Sequence, residues 1–193
     1  INVLFVWSIA KKLIAKKWVV FGVILLFGIL SSIPLTEGNI ANGEVFMILP
    51  TTIAVWLLLT IKKRGVELWK YYLSGVFLAL GFLFKVPVDF EFIAIVYWMT
   101  IYQIKSAREA LRVVVDKRMW FVIVGFVLPI LISIGYYFLA GAGGPYIKAA
   151  LMQNVGYVSS WEGGARPFYQ SELFIRGVIW LLVMGSITVF RQK

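Results

Sequence analysis

A series of long apolar runs is the feature that most constrains how this chain can fold. Hydrophobic residues make up 61% of its 193 positions and charged residues 15%, whereas a typical soluble domain has about 25% charged residues. A helix needs about 20 apolar residues to cross a bilayer, and several runs approach that length. The sequence therefore predicts an all-α fold, a single polytopic bundle of about seven transmembrane helices, at 1–10, 18–34, 45–61, 71–84, 88–104, 119–140 and 173–190.

The Lys and Arg residues predict how these helices are oriented. If every run crosses the membrane, fifteen of the 19 cations fall on one side, after the first, third, fifth and seventh runs, and six of the nine carboxylates fall on the other. Short loops rich in Lys and Arg stay in the cytoplasm. The loops 35–44, 85–91 and 141–172 are therefore predicted to lie outside. This topology accounts for the net charge of +10, so nucleic acid is not an expected partner.

One cytoplasmic connector has a helical pattern of its own. Cations at 105, 108 and 112 recur at helical spacing within 105–118, which predicts an amphipathic helix on the membrane surface. We interpret this helix as a solvated connector attracted to anionic lipid rather than as a site for a specific partner.

The residue types present limit the chemistry of any site. The chain has no Cys and no His, so disulfides, thiolate catalysis and imidazole acid–base catalysis are excluded. Carboxylates, Lys, Arg, Tyr or backbone groups must carry any chemistry. The chain begins inside one apolar run and ends just after another, and we therefore expect it to be an internal part of a longer protein.

The first outer segment with candidate site residues is 36–44, TEGNIANGE. Its Gly and Asn residues predict a turn-rich loop, and Glu44 opens the third helix, where a carboxylate suits the positive end of the helix dipole. Glu37, Asn42 and Glu44 are suited to binding a sugar hydroxyl or amine. A polar loop followed by a helix-opening acid explains them equally well, and both interpretations stay open.

The second segment, KVPVDFE at 85–91, places a cation at the junction of two apolar runs. Pro87 ends the fourth helix and permits a tight reversal. Lys85 suits the negative end of that helix dipole and can extend its ammonium group to the interface. A single ammonium group at the outer boundary, followed by Asp89 and Glu91, is also well placed to bind a lipid-borne phosphate.

The third segment is the long outer loop 141–172. Loops of this length in compact proteins are usually functional or disordered. Tyr157, Trp161 and Arg166 combine aromatic rings with a guanidinium group, which suits sugar stacking or a lid over a lipid headgroup. Interfacial anchoring is the better explanation for any single aromatic residue, and a binding function is the better one for the loop as a whole.

Two segments carry a resemblance to a known family. The run LSGVFLALGFLFKVP at 73–87 is similar to a Gly-rich helix ending in Lys, and ANGEVFMILPTTIAVWLLL at 41–59 is similar to an acid-bearing helix. Both helices are features of the polyprenyl-phosphate-dependent membrane glycosyltransferases of the GT-C superfamily, near the bacterial aminoarabinose-transferase and protein-mannosyltransferase relatives. Short paired helices joined by Lys-x-Pro, and a long outer loop after a later run, also resemble that family.

The resemblance implies transfer of a sugar from an undecaprenyl- or dolichyl-type phosphate donor. The acceptor would be a lipid, glycan or protein on the outer face of a bacterial or archaeal plasma membrane. By the same resemblance, Lys85 and Arg166 bind the donor phosphate. The residues that would line the substrate cavity are Glu37, Asn42, Glu44, Asp89, Tyr157 and Trp161.

The resemblance assigns no catalytic residue within the chain. In such enzymes an acid in the first outer loop acts as the base or is linked to a metal, and here that loop is expected to precede Ile1. No cofactor is certain, a divalent metal is the one candidate, and no metal ligand is assigned.

Two other functions stay open. A flippase or transporter for lipid-linked sugars works in the same setting, but ion-coupled transport needs ionisable residues deep within helices. The middle of every run lacks Asp, Glu, Lys and Arg. An O-antigen polymerase or ligase shares lipid-linked sugars and long outer loops, but outer arginines dominate such a mechanism, and the outer arginines here are Arg166 and Arg176.

Overall fold

A computed structural model describes residues 1–32, 43–62, 66–101 and 116–152. The described residues are helical and contain no strand, which confirms the predicted all-α class. The described residues of one compact unit, Ile1–Gly144, form six long helices: α1 (Asn2–Leu13), α2 (Lys17–Leu30), α3 (Gly43–Leu59), α4 (Leu68–Phe84), α5 (Val88–Ile101) and α6 (Lys117–Leu139). A short helical turn at Gly143–Tyr146 is followed by a π-helical segment at Ile147–Met152.

The helix bounds differ from the predicted apolar runs at several ends. The first helix continues past residue 10 to Leu13, α2 ends at Leu30 rather than at 34, and α4 begins at Leu68 rather than at 71. Hydropathy identifies only the apolar part of a helix, but the backbone hydrogen bonds of a helix can continue through polar residues at its ends. The seventh run, 173–190, lies outside the described residues.

The amphipathic helix predicted at 105–118 also needs a correction at its end. Residues 105–115 lie outside the described residues, but Lys117 and Arg118 belong to the first turn of α6. Asp116 is the N-cap of α6, and its side chain accepts a hydrogen bond from the Arg118 backbone N–H at 3.0 Å. The two cations therefore begin a long apolar helix.

Among the described helices, α6 is the one that is long and apolar enough to cross a membrane. Its 23 residues correspond to a length of about 34 Å at 1.5 Å per residue, which exceeds the roughly 30 Å of a bilayer core. Only 17% of its most apolar stretch is buried, unlike the core helix of a soluble protein. The other apolar helices are shorter, and the predicted number of seven spans stays a prediction.

The fourth helix lies at the centre of the bundle. It packs between α3 and α6 and also touches α5, whereas α1 packs on α3 and α2 on α1. The buried hydroxyl of Ser74 in α4 donates to the Ala54 carbonyl of α3 at 3.1 Å. The indole N–H of Trp56 in α3 donates to the Ser8 hydroxyl of α1 at 2.9 Å. These two bonds fix α4 to α3 and α3 to α1.

A close approach of backbones joins α4 and α6 through two glycines. A Cβ atom added to Gly75 would overlap the carbonyl oxygen of Val122, and one added to Gly125 would overlap that of Tyr72. The two backbones therefore touch directly. Small residues allow such contact in membrane bundles, where dispersion forces replace the hydrophobic effect between helices.

The buried apolar side chains form two layers along the bundle. The first contains Ala54, Leu78, Ala79, Val88 and Phe126. The second contains Leu58, Tyr71, Met99 and Val122. Each layer draws on α3, α4, α5 and α6, so the four helices pack against one another over much of their length.

Polar contacts close the bundle end at which α3 finishes and α4 begins. The Glu67 carboxylate accepts a hydrogen bond from the Lys62 backbone N–H at 2.7 Å and forms an ion pair with Lys70. Arg118, at the start of α6, forms an ion pair with Asp116 and lies near the Tyr71 side chain of α4. The described cations Lys62, Lys70 and Arg118 therefore gather at one end of the bundle.

Candidate functional site

The candidate site is the reversal between α4 and α5, at the opposite end of α4 from Lys70 and Glu67. Lys85 caps α4, and its backbone N–H donates to the Gly81 carbonyl at 2.9 Å. The chain then turns over Val86 and Pro87, and the Val88 N–H donates to the Lys85 carbonyl at 3.2 Å as α5 begins. This is the tight reversal that the Lys-x-Pro sequence predicted.

The start of α3 lies directly against this reversal. A Cβ atom added to Gly43 would lie 3.1 Å from the Phe84 carbonyl oxygen and 3.4 Å from the Lys85 Cδ. The half-buried Lys85 side chain therefore runs past the first residue of α3. A helix N-terminus carries a partial positive charge. The Lys85 ammonium group and the N-terminus of α3 therefore give this end of the bundle two sources of positive charge.

Two carboxylates stand in the first turn of α5, where the helix dipole favours them. The Asp89 Oδ1 accepts a hydrogen bond from the Phe90 backbone N–H at 2.8 Å. The Glu91 Oε2 lies 3.2 Å from the Thr51 hydroxyl of α3, which donates to it across the helix interface. Asp89 is therefore held by its own helix, whereas Glu91 connects α5 to α3.

The Thr51 hydroxyl also lies 2.8 Å from the Met47 carbonyl one turn earlier in α3. A hydroxyl has a single proton, so the Met47 carbonyl and the Glu91 carboxylate compete for it. Gly81 of α4 makes room for this contact, because a Cβ atom there would lie 3.2 Å from the Thr51 oxygen. The contact therefore depends on three helices.

Two of the predicted site residues, Lys85 and Asp89, lie on either side of the reversal. Glu44 lies in the first turn of α3, immediately after Gly43, and its side chain is outside the described part of the structure. The remaining site predictions also lie outside the described residues: Glu37, Asn42, Tyr157, Trp161 and Arg166.

The sequence-based site missed the link between Glu91 and Thr51. The sequence marks Glu91 as an acid of the second outer segment and gives no sign that Thr51 contacts it. The sequence feature that could have indicated this contact is the presence of two polar residues within apolar runs. Thr51 follows Pro50 in the third run, and Glu91 lies near the start of the fifth. Nothing in their spacing, 40 residues apart, indicates that they touch.

A divalent metal finds no ready ligand set in the described residues. No group of three or more Asp, Glu, His or Cys side chains lies close enough there to hold an ion. Among the described side chains, Asp89 and Glu91 provide the carboxylate oxygens at the reversal, and Mg²⁺ bound by only one or two carboxylates takes its other ligands from water or substrate phosphates. The described side chains therefore do not define a metal site.

The described residues form an all-α bundle, in which one helix has membrane-spanning length and a Lys-x-Pro reversal is followed by two carboxylates. Comparison with known proteins adds no relative to this description, because no family model, no curated protein and no solved structure matches the chain.

The Thr51–Glu91 contact should be measurable as a coupling energy. Replacing Thr51 by Val and Glu91 by Met, singly and together, is expected to give a coupling of about 1 kcal/mol in the free energy of unfolding, because both changes remove the hydrogen bond to a carboxylate that crosses the α3–α5 interface. Asp89→Asn with Thr51→Val is the matched control. Its two effects should add, since the Asp89 carboxylate accepts from Phe90. Additivity in both cycles would show that Glu91 and Thr51 do not interact.

Proposed function

We propose that the chain belongs to an integral membrane protein that transfers a sugar from a polyprenyl-phosphate donor to an acceptor. The acceptor is a lipid, glycan or protein on the outer face of a bacterial or archaeal plasma membrane. The observation that carries the proposal is the position of Lys85, at an end of an apolar bundle and beside the first residue of α3. Seven spans, with the basic loops in the cytoplasm, are part of the same proposal.

The exposed surface of α6 supports insertion into a bilayer. Its outward side chains are large and apolar, and Leu131, Ile132 and Leu139 are 56%, 62% and 92% exposed. Apolar surface on this scale is rare on a soluble monomer. Trp120 and Tyr136, both exposed, lie about 24 Å apart along the helix at 1.5 Å per residue. Aromatic residues at that separation match the two interfaces of a membrane.

The charge distribution supports the proposed orientation. Lys62, Lys70 and Arg118 lie at one end of the bundle, and Lys85, Asp89 and Glu91 lie at the other end of α4 and at the start of α5. Cations collect on the cytoplasmic side of membrane proteins. This distribution supports the proposed orientation, in which the reversal at Lys85 lies at the outer boundary of the membrane.

A donor whose phosphate lies at this boundary would meet the Lys85 ammonium group. In the transfer, the bond between the sugar anomeric carbon and the phosphate oxygen breaks, and the acceptor oxygen forms the new bond to that carbon. The phosphate leaves with an added negative charge, and a fixed cation stabilises that charge in the transition state. A carboxylate base takes the acceptor hydroxyl proton. We assign this base to no described residue.

The other outer residues complete the proposed cavity. By the family resemblance, Arg166 is proposed as a second ligand of the phosphate and Asp89 as a residue of the substrate cavity. The remaining cavity residues are Glu37, Asn42, Glu44, Tyr157 and Trp161. We assign no metal ligand to the described residues.

Replacing Lys85 by Ala tests the proposal. Sugar transfer from a radiolabelled polyprenyl-phosphate donor should fall about 100-fold in membranes that contain the variant, because the leaving phosphate loses a charged donor. Lys85→Arg should keep part of the activity, since it keeps the charge. Lys148→Ala is the control, because Lys148 is an exposed cation in the loop predicted to lie outside.

The two parts of the proposal fail in different ways. If the unaltered protein transfers no sugar, the transferase function is wrong. Movement of the lipid-linked sugar across the membrane without transfer would identify a flippase instead, and extension of a lipid-linked glycan would identify a polymerase or ligase. If transfer occurs and Lys85→Ala leaves it unchanged, Lys85 is only the end of a helix.

A further inference from the structure

The junction of α1 and α2 presents a group of cations that the proposed transfer does not use. We propose that this junction is a docking site for the headgroups of anionic phospholipids. We call it the lysine corner, and it comprises Lys11, Lys12, Lys16, Lys17 and Trp18. The inference rests on the proposed membrane insertion and is independent of sugar transfer.

The fold brings the four lysines together by ending one helix and starting the next within a few residues. The first helix ends at Leu13, where the Ile14 N–H donates to the Ala10 carbonyl at 2.8 Å. The second begins at Lys17, and the Val20 N–H donates to the Lys16 carbonyl at 3.2 Å. Since α2 packs back on α1, the corner is a turn of a helical hairpin, and all four lysines are exposed.

These cations have no carboxylate to neutralise them within their own hairpin. Residues 1–32 contain neither Asp nor Glu. The ion pairs between described residues join Lys70 to Glu67 and Arg118 to Asp116, and neither involves the corner. The Lys11 ammonium group lies 4.4 Å from the centre of the Trp7 ring, a contact that keeps its full charge. The corner is therefore a concentrated positive surface.

Lys16 and Lys17 lie at the N-terminus of α2, where the helix dipole disfavours a positive charge. Lys16 is the N-cap of α2 without a side-chain cap bond, and Lys17 is its first residue, with no acid in the first turn. Cations at this end oppose the helix dipole. A bound anion would interact favourably both with the lysines and with the positive end of the α2 dipole. The arrangement is therefore consistent with an anionic partner.

The side chains between the cations identify the partner as lipid rather than a soluble anion. Trp18 is 87% exposed and Leu13 is 65% exposed, and both adjoin a lysine in sequence. Trp rings favour the headgroup level of a membrane, and long lysine side chains extend from there to phosphate groups. Anionic headgroups also attract clustered lysines at the cytoplasmic surface, by about 1 kcal/mol per residue.

The experiment uses the full chain, inserted in phosphatidylcholine vesicles. Ala15→Cys places a fluorescent label in the exposed middle of the corner, and the label is specific because the chain has no other Cys. Spin-labelled phosphatidylglycerol and spin-labelled phosphatidylcholine are added in turn as quenchers. Phosphatidylglycerol is expected to quench preferentially, and this preference should fall as salt is added, because the attraction is screened.

Two double variants of equal charge distinguish the corner from a general effect of basic residues. Lys12→Gln with Lys16→Gln should lower the preference for phosphatidylglycerol about five-fold for each lysine removed, down to no preference. Lys62→Gln with Lys117→Gln removes two exposed cations elsewhere and should leave the preference intact. An equal fall in both variants, or no preference in the starting protein, would overturn the inference.

A second label separates this inference from the proposed membrane insertion. Ile132→Cys labels the exposed face of α6, where acyl-chain spin labels on phosphatidylcholine should quench an inserted helix. If this site is quenched and Ala15→Cys shows no lipid preference, the lysine corner alone is refuted. If Ile132→Cys is not quenched, the insertion is refuted, and the docking site with it.

Discussion

Replacing Gly75 by Ala is expected to destabilise the bundle by about 3 kcal/mol, the upper end of the usual cost of overpacking. The added methyl group would overlap the Val122 carbonyl and approach the Phe126 backbone nitrogen. Both are backbone atoms of α6, so no side-chain rotation can relieve the overlap, and α4 and α6 must separate. The free energy of unfolding in mixed detergent micelles measures the effect.

The control for this prediction is the same substitution at Gly135. No atom lies within 4 Å of a Cβ placed there, so Gly135→Ala should be neutral or slightly stabilising, because Ala favours a helix more than Gly does. Gly125→Ala should match Gly75→Ala, since it meets the Tyr72 carbonyl from the other side. A neutral Gly75→Ala would mean that α4 and α6 do not cross at these glycines.

Replacing Leu78 by Ala is expected to cost about 2–5 kcal/mol of unfolding free energy, the range found for buried leucines. Leu78 is 0% exposed and lies in the layer that α3, α4, α5 and α6 share. Removing its side chain leaves a cavity among residues of several helices. The same unfolding measurement in micelles reports the loss.

Leu80 provides the matched control on the same helix. It is 40% exposed, so lipid or detergent can fill the space that Leu80→Ala leaves, and the effect should be below about 1 kcal/mol, as for surface positions. Similar losses for the two variants would show that α4 is not oriented with Leu78 towards the core.

The class of the fold and the course of the first helices follow from local sequence. Apolar runs that are bounded by Lys clusters or by Pro form helices, and nearby residues are enough to predict roughly where each helix begins and ends in the sequence. The reversal at 85–87 was predictable for the same reason, because Pro87 restricts its own backbone and that of its neighbour. The helix ends were less predictable, as the start of α4 at Leu68 shows, since polar residues join a helix without changing the apolar pattern.

The candidate site was predictable only in its local part. Lys85 and Asp89 are four residues apart, and a tight turn must bring them close. The contact of Lys85 with Gly43 and that of Glu91 with Thr51 join segments 40 or more residues apart. Such contacts depend on which helices pack together and on the rotation of each helix about its own axis. A single sequence does not specify either of these directly.

The sequence by itself determined that this chain is helical and apolar and that its charges alternate between segments, because hydropathy and charge act over a few residues. The tertiary structure decided that α4 is the central helix, that it meets α6 closely at Gly75 and Gly125, and that Thr51 donates a hydrogen bond to Glu91. Helix packing depends on the shape of the whole surface of each helix. Whether two such surfaces fit together is determined only when both helices are formed.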